Sequence, residues 1–289
     1  MQIGILGVGS IGSVIARYLA ERKAVELSGF NRSNRVKTIV YFQNQRFDIS
    51  IPIHTTPQVA VRLDWIFICL KEHQFVDAKP FLAKLIQANT KVVVIRNGLR
   101  LSKPLVPFQS DNILAAQIDC PVERLADGNF KQLRTPILYV PEVKLANELE
   151  QLLPQIEIRK EVDFKTASWK KLIESSAIGA ITALSGETCH VFGNERLLKL
   201  YRRLVEESLI VAQADGAQLP TDFTEVLIEK LKNYPPEKGS SMLTDRLAGK
   251  PIELGAKSGV IVQVGEEYGL ETPLHRLVVD LLCMTNKRN

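Results

Sequence analysis

The chain has 289 residues, of which 45% are hydrophobic and 24% charged, with a net charge of +5. That length allows two domains, or one large one, around a substantial core. No block of Lys and Arg of the kind that reads nucleic acid is present, and no apolar stretch is long enough to span a bilayer. The small positive surplus suits an anionic cofactor or substrate.

Met1 leads almost directly into the strand-like Ile3-Gly4-Ile5-Leu6, with no basic segment followed by an apolar one. The expectation is a cytoplasmic chain without a signal peptide. Residues 13–22 read as a helix with Val14, Ile15, Tyr18 and Leu19 on one stripe, and residues 25–31 as the next strand. Residues 38–53 read as extended segments joined at Asn44-Gln45, an antiparallel excursion. Residues 65–70 and 91–95 are short buried strands with a helix over 76–88 between them. Strands at 113–118 and 136–140 and a helix at 143–153 follow. This alternation predicts a parallel sheet covered on both faces.

From about Asp163 the pattern turns helical, with candidate helices at 164–185, 195–214, 221–233, 253–268 and 273–284. Pro235-Pro236 and Gly239 punctuate the series. Cys69 and Cys283 sit in apolar runs and read as small buried hydrophobes. Cysteines and histidines are scattered, so neither a disulfide framework nor a metal site is expected.

Gly7-Val8-Gly9-Ser10-Ile11-Gly12 is G-x-G-x-x-G between an apolar strand and an amphipathic helix. In that setting Gly7 makes a tight turn, Gly9 lets backbone approach a pyrophosphate, and Gly12 lets helix pack on strand. The helix N-terminus then holds the anion. The expected architecture is an α/β Rossmann-type domain over 1–162 followed by an all-α domain over 163–289. The second strand ends at Phe30-Asn31-Arg32-Ser33, without the acidic residue that holds the ribose 2′-hydroxyl of NAD. Arg32, with Arg35 nearby, suits a 2′-phosphate and hence NADP(H). Lys71 and Asn97 follow later strands, where doubly wound sheets bind ligands. A solvated lysine and an ordinary Asn-Gly turn are equally open readings there.

Lys170 and Lys171 open a helical run that is small and apolar after Glu174. A lysine in such a place is a candidate proton donor if partly desolvated, and a solvated helix residue if not. Downstream, Ser240 and Ser241 read as a turn or helix cap, and Glu253 as a favourable charge at a helix start.

Taken together, Gly7, Gly9, Gly12, Arg32, Leu70-Lys71, Asn97-Gly98, Trp169-x-Lys171-Leu172, Ser240-Ser241-Met242-Leu243-x-Asp245 and Glu253 resemble the ketopantoate reductase (2-dehydropantoate 2-reductase) family. The resemblance spans nearly the whole chain. It implies an active site in the cleft between two domains, NADPH as hydride donor to a 2-keto acid, and a place in pantothenate biosynthesis. It further implies Lys171 as general acid and Glu253 as the holder of a substrate hydroxyl. Ser241 would bind the carboxylate, and Lys71 and Asn97 would line the cofactor and substrate. The Val8, Ser10 and Ile11 backbone would join the cofactor set.

The family usually carries asparagines four and eight residues after the lysine, whereas this chain has Ser175 and Gly179. Ser175 retains a hydroxyl for the substrate; Gly179 retains nothing. After Glu253, Leu254-Gly255-Ala256-Lys257-Ser258-Gly259 also departs from the family's Glu-x-Asp-x-x-Asn-Gly. Two alternatives therefore stand beside ketopantoate reduction: a same-fold enzyme for another keto or hydroxy acid, and a non-catalytic NADP-binding protein. The helical half could also pair with a second copy as a homodimer, although no single patch says so.

Overall fold

The computed structural model describes residues 1–34, 37–57, 61–108 and 112–286, with side chains to 284. It divides into two compact units, Met1–Phe164 and Lys165–Asn289.

The first unit runs β1 (Gln2–Leu6), α1 (Ser10–Ala20), β2 (Glu26–Phe30), β3 (Thr38–Phe42), β4 (Gln45–Ile49), β5 (Ile53–His54), β6 (Trp65–Ile68), α2 (Phe75–Leu85), β7 (Lys91–Ile95), β8 (Ile113–Asp119), β9 (Val122–Arg124), β10 (Phe130–Gln132), β11 (Ile137–Pro141), α3 (Lys144–Leu152) and β12 (Glu157–Glu161). Eight of these strands form one sheet in the order β12-β11-β8-β7-β6-β1-β2-β5. Its central strands, such as Trp65–Ile68, are buried on both faces, which is why they read as unbroken apolar runs rather than alternating ones. The pairings from β5 through β8 are parallel. Chain order reverses at β1, between β2 and β6, and a doubly wound sheet leaves its ligand crevice at the carboxyl ends of strands beside such a switch.

The sheet is mixed rather than wholly parallel. β11 runs antiparallel to β8, with Leu138 opposite Ile118. No helix lies between these two strands to carry the chain back across the sheet, and a parallel pair needs such a crossover. The chain there makes β9 and β10 instead, which join β3 and β4 in a second sheet of order β4-β3-β10-β9. β3 and β4 form an antiparallel hairpin whose turn residues Gln43 and Asn44 both have positive φ, 48° and 59°. Arg17 pins this small sheet to α1. Its guanidinium lies 3.7 Å from the Phe47 ring and 4.9 Å from Phe42, and donates to Gln132 Oε1 at 2.9 Å.

The second unit continues α4 (Phe164–Ser185), α5 (Glu195–Ala214), α6 (Phe223–Lys232), α7 (Ser241–Leu247), α8 (Val260–Glu267) and α9 (Pro273–Asn286). α7 is an addition to the expected series. The helix expected from Glu253 starts later, with a π-turn over Gly255–Gly259 that leads into α8. The Gly259 N–H reaches back five residues to the Leu254 carbonyl at 2.8 Å, so Glu253 precedes the helical segment. Cys283, expected inside, is exposed, because its neighbour Leu282 takes the inward position on α9.

Candidate active site

The glycine loop of the first unit is set by contacts that allow no side chain at two of its three glycines. Gly7 has φ 92°, and a Cβ there would meet the Cys69 carbonyl oxygen at 2.7 Å. A Cβ at Gly12 would lie 2.1 Å from the Gly7 carbonyl oxygen. Gly9 differs: a Cβ there meets nothing within 4 Å, so no protein packing excludes one. Gly9 also caps α1 with no side-chain hydrogen bond, and the first turn holds no acidic residue. Backbone N–H groups there are thus left for an anion. Val8 and Ile11 turn their side chains to the core, so only their backbone can serve a ligand. Ser10 is half-buried at the first helical position. This open cradle fits the pyrophosphate of a dinucleotide.

Around the same strand ends stand the other expected residues. Arg32 follows β2, is exposed, and pairs with Asp77 of α2 at 3.1 Å. Arg35 lies outside the described residues. Lys71 is half-buried after β6, its N–H donating to Gln74 Oε1 at 2.9 Å. Asn97 follows β7, half-buried, before Gly98 at φ 92°. Gln117 holds that turn by donating to the Gly98 carbonyl at 3.0 Å. Arg96, absent from the expected site residues, tucks its side chain over Phe75 at 5.1 Å, and that side chain is 7% exposed.

In the second unit α4 presents Lys171 and Ser175 four residues apart, on one face and both half-buried, while Lys170 is exposed. Ser175 Oγ donates to the Leu172 carbonyl at 3.3 Å and accepts from Lys257 Nζ at 2.7 Å. Lys257 is 4% exposed, and Glu253, four residues before it, is 8% exposed. Burial pushes the Lys257 ammonium down to about 8, against the pull of Glu253 and then Glu174. Glu174 itself accepts from Lys230 Nζ at 2.8 Å and from the Tyr234 hydroxyl. The structure therefore brings Ser175, Glu253 and Lys257 together. Lys257 was missed, although a lysine inside a small, apolar run was the available signal.

Ser240 caps α7, accepting from the Leu243 N–H at 3.0 Å and sharing a 2.6 Å hydrogen bond with Thr182 of α4. Ser241 beside it is exposed. Gly179 has a packing reason: a Cβ there would lie 2.5 Å from Met242 Sδ. The volume that an asparagine would need is filled by the Met242 side chain.

Two family models match the chain, Ketopantoate reductase PanE/ApbA over residues 3–144 and Ketopantoate reductase PanE/ApbA C terminal over residues 163–286. The chain belongs to the ketopantoate reductase family. It is 30% identical over 297 residues to a 2-dehydropantoate 2-reductase of Mycobacterium tuberculosis, covering 97% of this chain and 96% of that one. A 2-dehydropantoate 2-reductase of Caulobacter vibrioides is 29% identical, with 97% and 98% covered. Among solved structures, a dimeric ketopantoate reductase from Staphylococcus aureus superposes with a TM-score of 0.89 at 25% identity, covering 99% of each chain. A D-mandelate dehydrogenase solved with NADH and anilino(oxo)acetate shares the fold at TM-score 0.89 and 19% identity, covering 99% of this chain and 98% of that one. Membership of the ketopantoate reductase family makes the chain an oxidoreductase acting on CH–OH groups with NADP(H) as its dinucleotide. Among the described residues no helix is long and apolar enough to cross a membrane.

Proposed function

We propose that this member of the ketopantoate reductase family reduces 2-dehydropantoate to pantoate. One observation carries the reading: the family match extends over both the glycine-loop half and the half that holds Lys171, Ser175, Ser241 and Glu253.

NADPH, when bound, supplies the hydride that reduces the C2 carbonyl carbon. The chain's own groups do the rest. The backbone of residues 7–12 at the head of α1 holds the pyrophosphate, and Arg32 meets the 2′-phosphate with its planar fork of donors. Lys71 and Asn97 place charge and an amide at neighbouring strand ends. Lys171 holds a proton at Nζ and gives it to the carbonyl oxygen as negative charge develops there, so a ketone becomes a secondary alcohol. Ser241 takes the substrate carboxylate, and Ser175 and Glu253 take its remaining polar end. Residues 1–162 serve the cofactor and 163–289 the substrate, in a cytoplasmic enzyme that does not bind nucleic acid and works as a homodimer.

A different keto acid is the second reading, favoured by Met242 standing where an asparagine at 179 would reach. A panel of 2-keto acids compared by kcat/KM with NADPH separates the two. The first reading predicts that 2-dehydropantoate leads by a wide margin; another keto acid ahead of it would refute that reading.

A further inference from the structure

Lys257 is a buried cation with donors to spare. It sits in the π-turn between Glu253 and α8, and its Nζ makes one hydrogen bond among the described residues, to Ser175 Oγ at 2.7 Å. An ammonium has three N–H groups, so two remain for other acceptors. A buried charge that only filled space would be better replaced by an apolar side chain, because desolvation opposes it. The charge is also not matched by a tight ion pair: no carboxylate lies within 4.0 Å of it among the described residues, although Glu253 and Glu174 both act on it electrostatically. The carboxylates raise the preference for a cation here, while the spare donors point to an oxygen that arrives with the substrate.

The chemistry of that oxygen follows from the surroundings. Glu174 is held by Lys230 at 2.8 Å, so Glu253 and Lys257 present one negative and one positive charge, which together suit a neutral polar group better than a charged one. A hydroxyl can accept from Lys257 and donate to a carboxylate oxygen of Glu253, so it satisfies donor and acceptor together. We propose that Lys257 is a specificity-determining, substrate-binding residue that donates to a hydroxyl of the substrate beside Glu253. It supplies, from the π-turn, the hydrogen-bond donors that Ser175 and Gly179 cannot supply from α4. This assignment rests on the reading of the chain as a 2-dehydropantoate reductase, whose substrate carries such a hydroxyl. A site built to hydrogen-bond a hydroxyl rejects an analogue that lacks it, because buried polar groups are then left unpaired.

The test is calorimetric binding of pantoate and of its analogue lacking the terminal hydroxyl to the NADP⁺-loaded protein, for wild type, Lys257→Met, Lys257→Gln and Lys257→Arg. The wild type should prefer pantoate by about tenfold or more, the scale of a hydrogen bond to a charged group. Lys257→Met should weaken pantoate by about the same factor and leave the analogue within about threefold. Lys257→Gln, which keeps a donor of similar reach, and Lys257→Arg should retain part of the preference. A wild type that binds both ligands equally would overturn the inference. So would equal weakening of both ligands in Lys257→Met, which marks a structural lysine, or no weakening of either. NADP⁺ binding and thermal melting of each variant show that the fold is retained, and Lys257→Gln carries the comparison if Lys257→Met does not fold. A hydroxyl preference in a wild type that oxidises no NADPH with 2-dehydropantoate would refute the proposed reaction and leave the role of Lys257 standing.

Discussion

Lys257 Nζ donates to Ser175 Oγ at 2.7 Å and so ties the π-turn before α8 to the middle of α4. The two segments are 82 residues apart in sequence. The contact joins Lys257 and Ser175 in one polar cluster inside the second unit.

The glycine loop makes a sharp separation of folding from binding. Gly9→Ala meets no protein atom within 4 Å, and Gly9 has φ −94°, which an alanine adopts. Its thermal midpoint should stay within about 2 °C of wild type while NADPH affinity falls by about tenfold or more, since only an approaching pyrophosphate needs the space. Gly12→Ala, with its Cβ 2.1 Å from the Gly7 carbonyl oxygen, should lose both. Melting curves and NADPH fluorescence titration distinguish them.

Arg32 is exposed, and its pair with Asp77 is a surface pair worth about 0–1 kcal/mol. Arg32→Ala should leave stability nearly unchanged. It should lower kcat/KM for NADPH by about 10- to 100-fold and that for NADH by less than about threefold, because only the former has a 2′-phosphate. Equal losses with both nucleotides would remove Arg32 from the cofactor site.

Gly179 and Met242 should behave as one packing unit. Gly179→Asn alone places atoms where Met242 Sδ now lies, at 2.5 Å from a Cβ, and should destabilise by about 1–3 kcal/mol. Met242→Ala alone opens a cavity. The double variant should recover about 1 kcal/mol or more relative to the sum of the singles, read from urea denaturation. Simple additivity would show that the two side chains do not compete for the same volume.

Burial pushes His275 down to about 4 from 6.5. Its Nε2 lies 2.7 Å from Ser208 Oγ and 3.1 Å from the Leu204 carbonyl, and its Nδ1 lies 3.1 Å from Ser258 Oγ. Between these pH values the unfolded chain binds a proton that the folded one refuses. Stability is therefore retained above pH 6.5 and lost as the pH falls toward 4. The loss is roughly 3 kcal/mol at full extent. Between pH 7 and 4.5 wild type should lose about 2–3 kcal/mol more than His275→Gln in denaturant unfolding. Parallel losses would contradict a neutral buried imidazole.

Much of this architecture is legible in the sequence because its signals are local. β1 and α1 announce themselves by an apolar run, three glycines and a 3.6-residue stripe, and α4 and α5 match their expected spans. β9 and β10 are only three residues long, too short for any periodicity, and the pairing of β10 with β3 joins residues about ninety positions apart. The antiparallel turn of β11 is likewise a matter of the connection rather than of the strand. In the second unit, Lys171, Ser175 and Glu253 are singled out by the resemblance to the family, since a helix lysine, a serine and a first-turn glutamate each have an ordinary reading by themselves. Lys257 was not singled out, because its partner is set by the π-turn, and an i, i+5 turn has no strong sequence mark. Gly179 reads as a lost polar group in the sequence and as a seat for Met242 in the structure.

The most direct test of the account is NADPH absorbance with purified protein and 2-dehydropantoate, wild type beside Lys171→Ala. The wild type should oxidise NADPH rapidly and the variant should lose about 100-fold or more in kcat with NADPH binding unchanged, as expected for removal of a general acid. A wild type that binds NADPH and does not oxidise it with this substrate, or a Lys171→Ala variant that turns over at the wild-type rate, would contradict it.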